Sequence, residues 1–347
     1  GIGGSFYNDF SYFGARIHRQ GRGFEGFEKT QSWDSRNGLY HLVTYKQAFP
    51  YTGTVALDRV YQPDGLSLIS QTDNQYNVIT VNDPADTTGS KCLQTTPLLN
   101  DTRCFPYLDI ATVTSKELSP NTLIQTSITD YDLDAWGNPT KVTTTTTDND
   151  SNSPYYNGVW TTEVNHTITN YTTAPQWCLG KPTRTTTKNT LPDGTNATRT
   201  VDHTVDATNC RFNTETIEPS TALQVQTTFG YDTCGNVNSA AIVGKDKNGV
   251  AMPSRTTTSN FGTRCTFPET VTNALSQSTT NAYNYTYGVK SSTTDPNGIS
   301  VSWGYDSFGR RASETRPDGT STTWTYEDCT TAACWGLTDN LRLRVTE

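Results

Sequence analysis

The sequence predicts an all-β protein made of stacked β-hairpins, with almost no helix. Three observations carry that prediction. The first is composition: 33% of the 347 residues are hydrophobic and only 17% charged, while Thr, Ser, Asn and Gly fill the gap beside 18 Tyr, 12 Phe and 7 Trp. Threonine and aromatic residues favour strands, and Asn, Asp, Gly and Pro favour the turns between them. The second is periodicity. The runs at Thr143 to Thr147, Gln224 to Asp232, Ser278 to Gly288 and Thr320 to Asp328 are threonine-rich or alternate a larger apolar residue with a small polar one, the mark of half-buried strands. The third is punctuation, because the same short turn signals recur between those runs.

Those signals are QPDG (Gln62 to Gly65), LPDG (Leu191 to Gly194), KNG (Lys247 to Gly249), DPNG (Asp295 to Gly298) and RPDG (Arg316 to Gly319). Proline presets the first turn residue, and Asn-Gly or Asp-Gly supplies the positive φ angles of a hairpin tip. A longer unit repeats as well: YDLDAWGN from Tyr131, YDTCGN from Tyr231 and YDSFGR from Tyr305. Tyr283, Tyr305 and Tyr326 stand 22 and 21 residues apart, about the chain length of one hairpin. A lone hairpin cannot cover its apolar face, so successive hairpins are expected to add to one sheet. In each unit the tyrosine (Tyr131, Tyr231, Tyr305) is assigned to a buried ladder. The aspartate (Asp132, Asp232, Asp306) caps turn amides, and the glycine (Gly137, Gly235, Gly309) takes the reversing backbone angle.

A net charge of −8 opposes binding to a nucleic-acid backbone, which calls for clustered Lys and Arg. No apolar run approaches the roughly 20 residues of a membrane-spanning helix. Eight cysteines are present: Cys92, Cys104, Cys178, Cys210, Cys234, Cys265, Cys329 and Cys334. There is no Cys-x-x-Cys and only four histidines (His18, His41, His166, His203), so zinc is a poor fit and disulfides are favoured. Sequential pairing would close short loops, although spacing alone leaves connectivity open.

The Tyr-Asp-Gly units resemble the YD repeats of the Rhs family. The stretch Gly4 to Gly53, with GRGFEGF at Gly21 to Phe27 and QAFPYTG at Gln47 to Gly53, resembles the entry to the YD-repeat region of SpvB/TcB-type toxin-complex proteins. WCLGKPTRTTT (Trp177 to Thr187) and the following TNCRFNTETIEP are similar to cysteine-bearing Rhs repeats. The resemblance implies a β-sheet ribbon spiralling into a hollow, non-enzymatic shell around cargo. It places an N-terminal β region at 1–115 and the hairpin array at 116–347. The partners it implies are other segments or copies of the shell, an enclosed toxin polypeptide or cell-surface carbohydrate, in a secreted or surface-bound bacterial setting. The propeller, the shell-closing core with its self-cleaving aspartates and the toxin domain of that family are not recognised in these residues. A fragment of a longer polypeptide, or one shell piece among several, is therefore expected. An adhesin or a fibre subunit that self-assembles by edge pairing is the alternative.

Paired acids are the first enzymatic suspects, since glycosidases and aspartic proteases work through two carboxylates. Asp132 with Asp134 and Glu327 with Asp328 are the nearest pairs, but turn caps and exposed strand ends account for them. DPNG at Asp295 reads as a hairpin tip rather than a cleavage motif. No histidine has a Ser or Cys partner in a nucleophile motif. GIGG at the N-terminus and GRG at Gly21 to Gly23 lack the following helix of a phosphate cradle. Sequons at Asn100, Asn165, Asn170, Asn196 and Asn284 are ordinary by-products of a Thr/Asn-rich chain. No cofactor, metal or catalytic residue is expected.

Overall fold

The computed structural model describes residues 6–19, 21–80, 92, 103–173 and 177–326 and the backbone of 327–328 and 343–346. Every element with described bounds is a strand, and among the described residues only Cys92 has a helical backbone. The protein is all-β. The chain divides into two compact units, 1–211 and 212–347, each built of antiparallel strands.

The first unit opens with β1 (Asn8–Phe13), followed by the small pair β2 (Ile17–His18) and β3 (Gly23–Phe24). Then come β4 (Lys29–Asp34), β5 (Tyr40–Tyr45), β6 (Val55–Tyr61) and β7 (Leu68–Thr80). The unit continues through β8 (Cys104–Lys116), β9 (Leu123–Leu133), β10 (Pro139–Asp148), β11 (Val159–Ile168), β12 (Pro182–Thr190) and β13 (Asn196–Asp206). β1 pairs with β4, and from β4 onward each strand pairs antiparallel with the next. This is a plain meander.

The second unit repeats the plan with shorter strands. It runs β14 (Arg211–Ile217), β15 (Val225–Tyr231), β16 (Val237–Gly244), β17 (Arg255–Asn260), β18 (Thr270–Thr272) and β19 (Ser278–Asn284). It continues through β20 (Val289–Thr294), β21 (Ser300–Tyr305), β22 (Arg311–Thr315) and β23 (Ser321–Thr323). Again each strand pairs with its sequence neighbour. β24 (Thr325–Asp328) and β25 (Leu343–Thr346) form a separate two-stranded ladder. All five turn signals read from the sequence lie at tips between successive paired strands.

In β6 and β10 the period-two alternation does not separate an inside from an outside. All seven residues of β6 are half-buried, as are nine of the ten in β10. Among the described residues the buried apolar side chains are Val43, Val78, Cys92 and Cys178. Within each unit, the described strands contact chiefly their ladder neighbours, so the sheet there is a single layer. Its side chains shelter one another along each face, so Thr is as serviceable as Val, and cross-strand neighbours supply the cohesion.

Three disulfides join sequential cysteines: Cys92–Cys104, Cys178–Cys210 and Cys234–Cys265. Cys329 and Cys334 lie outside the described residues. Cys178 is fully buried and also bridges Tyr171 through paired backbone hydrogen bonds, so the Cys178–Cys210 link anchors the connection between β11 and β12.

Candidate functional site

The site that the sequence singles out is the repeated hairpin tip. Between β15 and β16, Asp232 N–H donates to Asn236 O (3.0 Å) and Gly235 N–H donates to Asp232 O (3.1 Å). The Asp232 carboxylate closes the same loop from the side chain. Its Oδ1 accepts from the N–H groups of Cys234 and Asn236, both at 2.9 Å. Gly235 sits at φ +91°, the left-handed conformation that an L side chain rarely adopts. The result is a turn followed by a glycine bulge, one of the common hairpin closures. Asp306 makes the same contacts to Phe308 and Arg310. Asp246, Asp295 and Asn273 repeat them in hairpins that lack the Tyr-Asp signature. Only the bulge residue is left-handed, so the expectation of positive φ at both Asn and Gly of KNG and DPNG is corrected to glycine alone.

In the Tyr131 unit the cap passes from Asp132 to Asp134. Oδ1 of Asp134 accepts from Trp136 N–H and Asn138 N–H at 2.9 Å each, three residues before Gly137. Asp132 instead lies in the β9–β10 ladder opposite Lys141. The reason is spacing: the cap must precede the bulge glycine by three, and in YDLDAWGN the second aspartate meets that condition. The Pro-Asp-Gly tips use a different carboxylate. Asp193 and Asp318, inside their turns, accept from the N–H and Oγ1 of Thr195 and Thr320.

These hydrogen bonds set the carboxylate electrostatics. Contacts from the Thr195 and Thr320 hydroxyls hold Asp193 and Asp318 below the usual carboxylate range. At Asp295 the Ile299 amide does so. At Asp306, Asp232 and Asp134 desolvation pushes the carboxyl up, and the donated hydrogen bonds outweigh it. None is poised to exchange a proton near neutrality. Asp109 differs, because burial and then the like charges of Asp130 and Asp132 push its carboxyl up. Lys141, ion-paired to Glu163 at 3.0 Å, faces that cluster from β10.

The tyrosines act as clamps. Tyr305 Oη donates to the backbone oxygen of Lys290 at 2.5 Å, Tyr283 Oη to Pro268 O at 3.1 Å and Tyr326 Oη to Arg311 O at 2.8 Å. Each acceptor lies 15 residues upstream, so the 22- and 21-residue beat of the sequence is a beat of phenol-to-carbonyl ties. Tyr231 reaches Phe212 O and Tyr76 reaches Val55 O in the same manner. Tyr231, Tyr283 and Tyr305 each follow a register shift that re-aims the side chain. Where the structure describes them, these tyrosines reach backbone carbonyls through their hydroxyls, a role that the expected tyrosine ladder did not include.

The other candidates resolve into structure. His41 Nε2 meets Asp58 Oδ1 at 2.6 Å across β5 and β6, and His166 Nδ1 meets Thr185 Oγ1 at 3.0 Å. Asn170 of one sequon is committed at both ends, donating to Asp134 Oδ2 and accepting from Gly180 N–H. The GRG stretch is a bend whose Arg22 guanidinium lies 3.7 Å from the Phe49 ring centre. The side chains of Glu327 and Asp328, Asn100, and GIGG lie outside the described residues. Sequence reasoning missed Asp134, Asp246 and Asn273 as caps; a search for Asp or Asn three residues before a tip glycine or serine finds them.

Residues 290–321, which hold one full clamp and the Asp295 and Asp306 turns, match the family model described as RHS Repeat. The chain carries an RHS repeat. The crystal structure of TcdB2-TccC3 is similar in fold at a TM-score of 0.60 and 11% identity, covering 92% of this chain and 22% of that one. The Photorhabdus luminescens Tc holotoxin pore, with a TccC3 variant, gives 0.61 at 10% identity, covering 92% and 21%. The chain spans about a fifth of the length of these neighbours. No curated protein matches at the level of sequence. The fold is that of the toxin-complex β-sheet, as the repeat units imply.

Proposed function

We propose that this chain builds part of the wall of a bacterial Rhs or toxin-complex type shell that encloses or delivers a polypeptide cargo, without catalysing a reaction itself. The observation that carries the reading is the single-layer sheet, closed by repeated tips and clamps and covered on neither face by a second layer within its units. Such a sheet is suited to partition space. The RHS repeat and the toxin-complex neighbours support the same role. Its partners are other segments of the shell and the enclosed chain. Three disulfides fit a secreted or surface-exposed setting. The change of repeat type near residue 115 belongs to this proposal as the passage from shell entry to hairpin array.

Electron microscopy of the purified chain tests it. Hollow particles or curved wall segments are expected. Straight filaments that lengthen with concentration would instead establish edge-to-edge polymerisation and a fibre subunit.

A further inference from the structure

Among the described residues, the disulfide grouped with a carboxylate is Cys234–Cys265. The ligand atoms of Asp232, Cys234 and Cys265 all lie within 4.8 Å of one another, the one such grouping among the described residues. We propose that these three residues form a redox-gated site for a thiophilic divalent cation, zinc being the natural occupant. It is closed while the disulfide stands and opens on reduction.

Local structure holds the ligands in place without the covalent bond. Cys234 belongs to the capped turn, its N–H donating to Asp232 Oδ1 at 2.9 Å. Asn236, the last residue of that turn, donates from Nδ2 to the backbone oxygen of Cys265 at 2.9 Å and to Asp232 Oδ2 at 3.1 Å. One amide therefore ties both halves of the site together. Breaking the disulfide leaves this tie intact, so the two sulfurs stay near each other and near the carboxylate.

Access is open. Cys234 is exposed, and Asp232 and Cys265 line an open groove of about 460 Å³ with Thr258, Asn260 and Thr270. A dithiol reductant reaches the bridge by thiolate attack on one sulfur, and its second thiol then resolves the mixed disulfide. The protein disulfide takes up two electrons and two protons and becomes two thiols, while the dithiol becomes a cyclic disulfide. Binding of the cation releases both thiol protons and leaves two thiolates and one carboxylate on the metal. Ligand atoms around tetrahedral zinc lie roughly 3.3–3.8 Å apart, so shifts of about 1 Å complete the set, with water from the groove in the fourth place. Sulfur donors select zinc and its relatives over magnesium or calcium.

The test uses the full chain, reduced under argon with a water-soluble phosphine, desalted and titrated with cobalt(II) while the thiolate-to-cobalt absorption is followed. Reduced protein is expected to bind at least one cobalt per chain, and oxidised protein none at this site. The Cys234→Ser/Cys265→Ser double variant keeps the other six cysteines, so its reduced form is expected to bind one cobalt fewer. Asp232→Asn preserves the turn, as Asn273 does in its own tip, and is expected to weaken affinity about tenfold or more. Equal binding by oxidised and reduced protein overturns the proposal, as does a double variant with the parent's stoichiometry. An Asp232→Asn protein with unchanged affinity removes the carboxylate from the site. These outcomes are independent of the shell reading, which electron microscopy judges separately.

Discussion

From Leu68 to Leu133 the chain lays down strands of 13, 13 and 11 residues side by side. From Thr270 to Thr323 it lays down six strands of only 3 to 7 residues. The long strands are held by many ladder rungs, with one register shift in each of the β7–β8 and β8–β9 pairs, and the β8–β9 tip has one main-chain bond at its base, Glu117 N–H to Thr122 O. The short strands have few rungs, so the β18–β19, β20–β21 and β22–β23 hairpins are each secured at both ends, by a side-chain-capped tip and by a phenol clamp across their base. Covalent closure follows the same division. Two bridges serve the first unit, and the stretch from Thr270 to Thr323 uses none. Short strands substitute many small fixings for a few large ones.

The largest break in this comparison comes from covalent closure. Replacing Cys178 and Cys210 by alanine frees a loop with a sequence separation of 32, and the chain-entropy account gives a loss of about 3–4 kcal/mol. Urea unfolding of the variant is expected to show an early transition in the first unit, while the second unit's midpoint stays put.

Next in size are the tip glycines. Gly319→Ala meets no neighbour within 4 Å and suffers only from its φ of +81°, a cost of about 1–2 kcal/mol. Gly309→Ala has that cost and also brings a Cβ to 3.0 Å from the Tyr287 ring, so it is expected to lose more. A smaller loss at Gly309 than at Gly319 would break the account. Ser276 already occupies a bulge position at φ +61°, and Ser276→Gly is expected to stabilise the tip.

Removing a clamp hydroxyl is milder. Tyr305→Phe leaves the Lys290 carbonyl without its partner and is expected to cost about 1 kcal/mol in denaturant midpoint analysis. The same change at Tyr40, which lies outside the clamp series, is expected to do less.

The smallest effect is a difference of sign with pH. Asp193, Asp295 and Asp318 have depressed carboxyls, so their contribution is fully present above the ordinary unfolded value near 3.9 and is lost as pH falls through their lower folded values. Asp109 is raised, so its ionisation opposes the fold at neutral pH and the opposition is relieved as pH falls through its folded value. Asp109→Asn is expected to raise the midpoint at pH 7 and not at pH 4, whereas Asp318→Ala lowers it at pH 7 and converges with the parent in strong acid.

What the sequence made legible is local. The β class, the tips and the tyrosine beat follow from residue type and short-range spacing, because each strand pairs with its neighbour in the chain. Assigning Asp132 as a cap failed on a two-residue ambiguity in YDLDAWGN that only the turn geometry resolves. The acceptors of the clamps were hidden because a backbone carbonyl leaves no residue-specific mark. The approach of Asp232 to Cys265, and of Asp109 to Asp130, depends on where separate strands meet.

The clamp offset has a consequence for how such a chain grows. Donor and acceptor are 15 residues apart, so each hairpin is fastened by segments that leave the ribosome within moments of each other. Folding by local closure proceeds with synthesis rather than waiting for a distant segment. Duplication of one whole beat inserts a new donor together with a new acceptor and disturbs neither neighbour. Length becomes a quantity that heredity can adjust in hairpin-sized steps.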